Sequence, residues 1–369
     1  MKVAIISYHR ADNYGSVLQA YALERAVETI GQTATHIDYH SSAQDRLYKM
    51  FEKPNSIMSV ARNIHAFIFL NQLKKRRLGF AQFRKIYLQT TPDEYTEGSD
   101  LTLLNTEYDC FVAGSDQIWN TQCNDFTEAY LLDFVSDKRK CISYAASIGR
   151  EYIEQDRKEM FKYRLSGFQK VSVRETTAKR ELEAILDRDI EVVPDPVLLL
   201  SKEEWNSFAT TRRIADDYIL CYFIGNVPGM RQFAKTIHRQ TGLPLVLVNI
   251  NLRDLTLPGR RCYDTNPMEF VSLVKHAKYV CTNSYHAVLF SILFNVNFWV
   301  FTDLGKGSAK SRIEEITARF KLEDRVLNSN TALPIDILKD IDYSRKAEWL
   351  DSYVKVGYRF LRNAIGETR

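Results

Sequence analysis

Short apolar runs alternate along this chain with segments whose apolar residues recur every three or four positions. Lys2 to Tyr8 is apolar and rich in β-branched residues, which predicts a buried strand. Ala20, Leu23, Val27 and Ile30 repeat at helical spacing, and Gly31 follows as a C-cap candidate. Thr33 to Tyr39 predicts the next strand. A strand–loop–helix unit of this kind puts its loop at the carboxyl edge of a parallel sheet, where open α/β folds bind ligands. Residues 56–90 read as a helical insertion. Strand patterns return at Tyr108–Ala113, Lys140–Ala146, Lys170–Val173 and Glu191–Val193, with a helix over Thr176–Leu186. Pro194 and Pro196 then break the rhythm.

A second series starts near residue 216, with strand Tyr218–Ile224, loop Gly225–Gly229, helix Met230–Gln240 and strand Pro244–Asn249. Strands Tyr279–Thr282 and Phe298–Thr302 follow, with helices at Met268–His276, Ala287–Phe294 and Lys310–Phe320. Two such series predict an α/β chain of two Rossmann-like domains facing one cleft. The expected boundaries are 1–205, including the helical insertion, and 206–343. Residues 344–369 form a separate C-terminal piece. Within it Trp349, Tyr353, Val356, Phe360 and Leu361 share one side of an amphipathic helix that is expected to pack back on the first domain.

Composition narrows the classes. The 369 residues are 45% hydrophobic and 26% charged, as in a globular protein with real cores. A formal charge of +4 is too small and too dispersed for nucleic acid to be the main partner. The six cysteines are scattered without a CxxC pair, which reads as reduced thiols of a cytoplasmic protein. The N-terminal apolar run is too short for a signal peptide, and no run approaches the ~18 apolar residues of a membrane span. No metal-ligand spacing, Walker A loop or nucleophile elbow is present. Residues 65–77 stand apart: the apolar run His65–Leu70 precedes Lys74-Lys75-Arg76-Arg77. They read either as a helix with a solvated basic face or as an interfacial segment touching anionic lipid.

Several strand ends carry chemistry. The first loop holds Arg10, Asn13, Tyr14, Gly15 and Ser16, where the following helix offers N–H groups to an anion; Ser16 could instead be its N-cap. Ser115, Asp116, Gln117 and Trp119 crowd hydrogen-bonding groups beside an aromatic ring, which suits sugar hydroxyls; the alternative is a capping Asp with a buried Trp. Arg174 can grip a carboxylate or phosphate, or pair internally with Glu175. Asp195, between two prolines, reads more as a rigid connector than as a catalytic group. His286 follows a strand end at a helix start, where an imidazole can bind a phosphate oxygen or act as acid or base. Lys306, Lys310 and Arg312 flank a glycine loop that opens another helix, fit either to neutralise a dianion or to form a solvated turn.

Together these motifs resemble the polysaccharide pyruvyl transferase family. The matching pieces run in order from Tyr8–Leu23 through Gly114–Asn120, Ser143–Ser147, Ser172–Glu175, Pro194–Pro196 and Asn283–His286 to Ser311–Ile313. The resemblance implies a GT-B-like fold and transfer of the pyruvyl unit of phosphoenolpyruvate to a sugar of a cell-surface or capsular polysaccharide, or of its lipid-linked precursor. The product would be a pyruvate ketal, and no cofactor beyond the donor substrate is expected. By the resemblance His286 falls on a donor-binding histidine and Arg174 on an anion-binding arginine; with the residue reading above, His286 and Asp116 are expected to be the catalytic groups. Arg174, Ser284, His286, Lys306 and Arg312 would bind the donor, and Arg10, Asn13, Tyr14, Gly15, Ser16, Ser115, Asp116, Gln117 and Trp119 the acceptor. Other members carry an arginine two residues before the histidine, where this chain has Ser284. Either Arg312, with Lys306 or Arg10, supplies the missing charge, or the donor differs. A glycosyltransferase using a nucleotide sugar and a non-catalytic glycan-assembly protein are the alternatives. The expected location is the cytoplasm, at the inner face of the membrane if segment 65–77 touches lipid.

Overall fold

A computed structural model describes residues 1–366 except 210–211, 228, 250, 303–309 and 329–333. The chain begins with β1 (Lys2–Ile6), α1 (Tyr14–Thr29), β2 (Thr33–Tyr39) and α2 (Ser42–Leu47). Two consecutive helices follow, α3 (Ile57–Ile68) and α4 (Leu70–Tyr87). Next come β3 (Thr90–Tyr95), β4 (Cys110–Asp116), β5 (Cys141–Ala146), α5 (Lys158–Leu165), β6 (Ser172–Val173), α6 (Thr176–Leu186) and β7 (Glu191–Val192). The second series comprises α7 (Lys202–Phe208), β8 (Ile219–Tyr222), α8 (Met230–Thr241), β9 (Leu245–Leu247), β10 (Arg260–Arg261), α9 (Pro267–Lys275), β11 (Tyr279–Thr282), α10 (Tyr285–Phe294), β12 (Asn297–Phe301), α11 (Lys310–Arg319) and β13 (Val326–Leu327). The long helix α12 (Lys346–Gly366) ends the described chain.

These elements form two compact units. The first contains Met1–Tyr48, Arg84–Leu200 and Ala347–Arg369. Its parallel sheet has the order β3-β2-β1-β4-β5-β6-β7. The central strands β4 and β5 are buried along their whole length, and so is β1 from Val3 on, as expected of a parallel sheet covered on both faces. α12 belongs to this unit from Ala347 on and docks where Gly357 meets Tyr144, Pro194 and Leu199. An added Cβ at Gly357 would lie 2.5 Å from the Tyr144 hydroxyl, so the helix approaches only because that position lacks a side chain. Gly357, rather than the half-buried Val356 of the sequence reading, therefore sits on the contact face beside Tyr353, Phe360 and Leu361.

The second unit contains Lys49–Phe83 and Ser201–Lys346. Its parallel sheet has the order β10-β9-β8-β11-β12-β13. Every residue of α10 is buried, which suits a helix apolar on all sides, and Phe290 packs edge-on to Trp205 at 5.0 Å. The helical insertion was expected within the first domain. It groups with the second unit instead, because Phe69 packs on Tyr263 with ring centroids 4.9 Å apart, and Lys75 bonds Asp264 at 2.9 Å. Three strands were not foreseen. All three, β3, β10 and β13, lie at sheet edges; β10 and β13 are two residues long, and β3 (Thr-Thr-Pro-Asp-Glu-Tyr) is too polar to carry a buried-strand pattern. Among the described residues no helix is long and apolar enough to cross a membrane.

Candidate functional site

Polar side chains gather at the carboxyl ends of the strands in each unit. In the first unit the gathering centres on Arg174, directly after β6. Its side chain is fully buried. Nη1 donates to Asp195 Oδ2 at 2.7 Å, Nη2 to Asp116 Oδ1 at 3.4 Å, and Glu175 Oε2 stands 3.9 Å from Nε. Asp116 ends β4 with φ +73° and accepts a 2.7 Å hydrogen bond from Ser16 Oγ through its other oxygen. Glu175 accepts from Ser147 Oγ at 2.8 Å and Ile148 N at 3.0 Å. Asp195 Oδ1 accepts from Val197 N at 3.0 Å. Arg174 thus anchors an internal ionic network, the alternative that its neighbour Glu175 had suggested. A guanidinium held by three buried carboxylates is poorly placed to grip an incoming anion.

The first loop is also more committed than its sequence implied. Asn13, not Ser16, caps α1: its side chain accepts from Gly15 N at 2.9 Å and Ser16 N at 3.4 Å. These donors are therefore not available to cradle an anion, and the positive end of the helix already faces Asp116 through Ser16. Tyr14, Gly15 and Ser16 lie in the buried first turn. Arg10 bonds Asp38 at 2.5 and 2.9 Å and Glu94 at 2.9 Å. His9 is buried beside Asp38, and burial lowers its pKa against the pull of that carboxylate.

Ser115 is fully internal, donating from Oγ to the Ala145 carbonyl at 2.8 Å and from its N–H to Gln19 at 3.1 Å. Trp119 forms no exposed aromatic wall. It is 1% exposed, packs on Phe161 and donates its indole N–H to the Tyr130 carbonyl at 2.9 Å. Gln117 keeps partial exposure and accepts from Asn120 at 3.1 Å. Three further residues were given no role from the sequence, although the first two lie within the family-matching pieces: Gln19, which ties Ser16 to Ser115; Ser147, which donates to Glu175; and Asp125. Asp125 lies in an irregular loop, and burial, followed by the charge of Asp116, raises its pKa. Two nearby carboxyl groups are thus treated oppositely: Asp116 is paired with a guanidinium, while Asp125 is pushed toward its protonated form.

In the second unit, Ser284 caps α10 and accepts from Ala287 N at 3.4 Å. The helix begins at Tyr285, two residues earlier than its apolar pattern suggested, so His286 lies in the first turn and is 8% exposed. Asn283 fixes this corner to the segment just after β8, accepting from Ile224 N at 2.8 Å and donating to the Ile224 carbonyl at 2.6 Å. Tyr285 bridges the remaining pieces. Its ring lies 5.4 Å from that of His286, and the Arg312 guanidinium sits over it at 5.7 Å. Arg312 comes from the buried side of α11. The structure thus brings Ser284, His286 and Arg312 together at one helix start, while Lys306 lies outside the described residues. A buried arginine, an imidazole and a helix N-terminus form an arrangement suited to a dianion.

Cysteine chemistry is disfavoured at both sheets: no disulfide joins the six cysteines, and burial pushes Cys141 and Cys281 up to about 12. Among the described residues no group of three or more His, Cys, Asp or Glu is arranged to hold a metal ion.

The sequence model of the polysaccharide pyruvyl transferase family matches residues 13–303, a span that begins at the α1 cap Asn13 and includes Asp116, Arg174 and His286. The chain belongs to the polysaccharide pyruvyl transferase family. No protein of curated function matches it. Among solved structures, this pyruvyl transferase family member is similar to the UDP-GlcNAc 2-epimerase of Methanocaldococcus jannaschii, with TM-score 0.51 and 15% identity over 98% of this chain and 99% of that one. The Neisseria meningitidis UDP-GlcNAc 2-epimerase bound to UDP-GlcNAc gives TM-score 0.50 and 12% identity, covering all of both chains. A putative UDP-N-acetylglucosamine 2-epimerase from Listeria monocytogenes gives 0.50 and 12%, over 100% of this chain and 91% of the other. At these identities the likeness is one of fold, and that fold is GT-B-like: two Rossmann-like domains, each built on a parallel sheet.

Proposed function

We propose that the protein transfers the pyruvyl group of phosphoenolpyruvate to a sugar of a cell-surface polysaccharide or of its lipid-linked precursor, forming a pyruvate ketal. The observation that carries this reading is the second-unit cluster, where His286 and Arg312 flank Tyr285 at the start of α10. Phosphoenolpyruvate brings a phosphate and a carboxylate, and this is the cationic corner that matches them. Arg312 supplies the charge that Ser284 lacks at the position where other family members carry arginine. The acceptor would be read by the first unit, where Asp116 and Gln117 stand at a strand end.

In the reaction, a proton adds to the methylene carbon of the donor and leaves an oxocarbenium-like centre at C2. One sugar hydroxyl attacks C2 and loses its proton to a base. The C2–O bond to phosphate breaks, inorganic phosphate departs, and a second hydroxyl of the sugar closes the ketal, its proton passing to the departing phosphate. Two proton carriers are needed, and His286 and Asp116 are the candidates.

The test is turnover by the purified full-length protein with phosphoenolpyruvate and a panel of sugar acceptors, read by phosphate release and product mass. The expected product is heavier than the acceptor by one pyruvate less one water. His286→Ala should lower kcat at least ~10²-fold, and Arg312→Ala should raise KM for the donor strongly with a smaller change in kcat. Release of nucleoside diphosphate from a nucleotide sugar, with no phosphate from phosphoenolpyruvate, would replace this reading with glycosyl transfer. No turnover with either donor, and no effect of His286→Ala, would fit a glycan-binding protein.

A further inference from the structure

Helix α3 is oriented against the usual rule for a surface helix. Its buried residues are Ser59, His65 and Ala66. Ile57, Val60, Ile64, Phe67 and Ile68 are instead between 43% and 92% exposed. Their spacing of three, four, three and one places all five within about 100° of the helix circumference, one continuous stripe. Met58 and Phe51 add exposed apolar surface in the same segment, as does Leu78 on the next helix. Residues 49–83 hold seven Lys or Arg against Glu52 alone, a net charge of +6. The whole chain carries +4, so the rest of the molecule is net acidic. Lys53, Lys74 and Arg77 are exposed.

We propose that this segment docks on an anionic lipid surface, with the α3 stripe seated among the acyl chains and the cations at the headgroups. An exposed apolar stripe in a strongly basic segment, too short and polar to span, is the pattern of an interfacial helix. Charge selects this occupant over a second copy of the chain. A two-fold self-interface would set one +6 segment against another, whereas anionic headgroups neutralise it. The structure also relocates the contact. The sequence had marked 65–77, but His65 turns inward beside Phe69 and Tyr263, and the apolar face is Ile57 to Ile68.

The test is co-sedimentation of the full-length protein with vesicles of phosphatidylcholine alone or mixed with phosphatidylglycerol. It needs neither donor nor acceptor, so its outcome is separate from that of the transfer assay. Partitioning should require phosphatidylglycerol and weaken as salt rises. Lys53→Gln/Lys74→Gln/Arg77→Gln should weaken it roughly a hundredfold, about tenfold or less per cation. Ile64→Asp/Phe67→Asp should reduce it at least about a hundredfold at every salt concentration. Both sets change exposed residues, and a far-UV melt matching the parent confirms folding. If the aspartate pair unfolds, the glutamine set still decides. Partitioning unchanged in both variants would overturn the proposal, and so would indifference of the parent to phosphatidylglycerol. A concentration-dependent dimer abolished by Ile64→Asp/Phe67→Asp, without vesicle binding, would overturn it in favour of self-association.

Discussion

Replacing Arg174 with leucine should damage the fold of the first unit before it damages any binding step. The side chain is fully buried, and its nitrogens meet Asp195 at 2.7 Å, Asp116 at 3.4 Å and Glu175 at 3.9 Å. Leucine would leave these carboxylates without the guanidinium. Removing one partner of a buried pair costs about 3–5 kcal/mol, because the stranded charge keeps its desolvation penalty. At roughly 2–4 °C per kcal/mol for a unit of this size, thermal unfolding should move down by about 6–20 °C. The assay is a circular-dichroism melt of Arg174→Leu, Asp195→Asn and the double variant. Asparagine can still accept from Val197 N, so the double variant removes the charge and keeps the cap. Its loss should be at least ~1 kcal/mol smaller than the sum of the single losses. Arg174→Lys should recover only part of the loss, since one ammonium cannot fork between two carboxylates. If Arg174→Leu melts within about 2 °C of the parent and instead shows a large rise in donor KM, the network is not structural and Arg174 belongs to the donor site.

Glu24 and His36 lie 3.4 Å apart and both are buried. Burial raises Glu24 to about 8 and lowers His36 well below its usual range, so the folded protein holds both neutral near pH 7. Between about 4.5 and 8 the folded state then keeps a proton on Glu24 that the unfolded chain releases; below about 6.5 His36 offsets this, because there the unfolded chain gains a proton that the buried imidazole refuses, so net stability falls as pH rises from about 6.5 to 8. Glu24→Gln should flatten the slope and gain roughly 2–4 kcal/mol at pH 9 in urea titrations; a lower midpoint at pH 9 would refute it. Gly114, at φ +142° and with an added Cβ falling against the Tyr144 carbonyl oxygen, should tolerate no side chain. Gly114→Ala is expected to cost about 3 kcal/mol or more and to lower activity through Asp116, and a parental melting curve would contradict that.

Much of the scaffold was legible because burial on both faces leaves a coarse mark. β1, β4, β5, β8, β11 and β12 are apolar runs, and the helix after β1 shows its face in Ala20, Leu23 and Val27. The change from strand to helix period also located the chemistry: residues 9–16, 114–117 and 282–286 all lie at or just beyond the carboxyl ends of strands, where a parallel sheet exposes its loops. β3 is polar and β10 and β13 are two residues long, so none carries a readable apolar run, and all three passed unseen.

Partnership lay beyond the sequence. Arg174 meets Asp116, 58 positions away, only because β4, β5 and β6 pair in parallel register. That pairing turned an apparent anion grip into a structural network. Asn13 took the capping role that Ser16 seemed to hold, freeing Ser16 to hold Asp116. Trp119 is a ring beside polar residues in the sequence and a core residue in the fold, because Phe161 packs on it and the Tyr130 carbonyl accepts a hydrogen bond from its indole N–H. Likewise, amphipathicity marked residues 56–90 as helical but left open which face is covered. The stripe on α3 stays exposed because Ser59, His65 and Ala66 are the residues packed inward. Periodicity is local and is written in the chain. Which charges neutralise one another and which face meets solvent depend on contacts between distant segments, and those exist only in the folded structure.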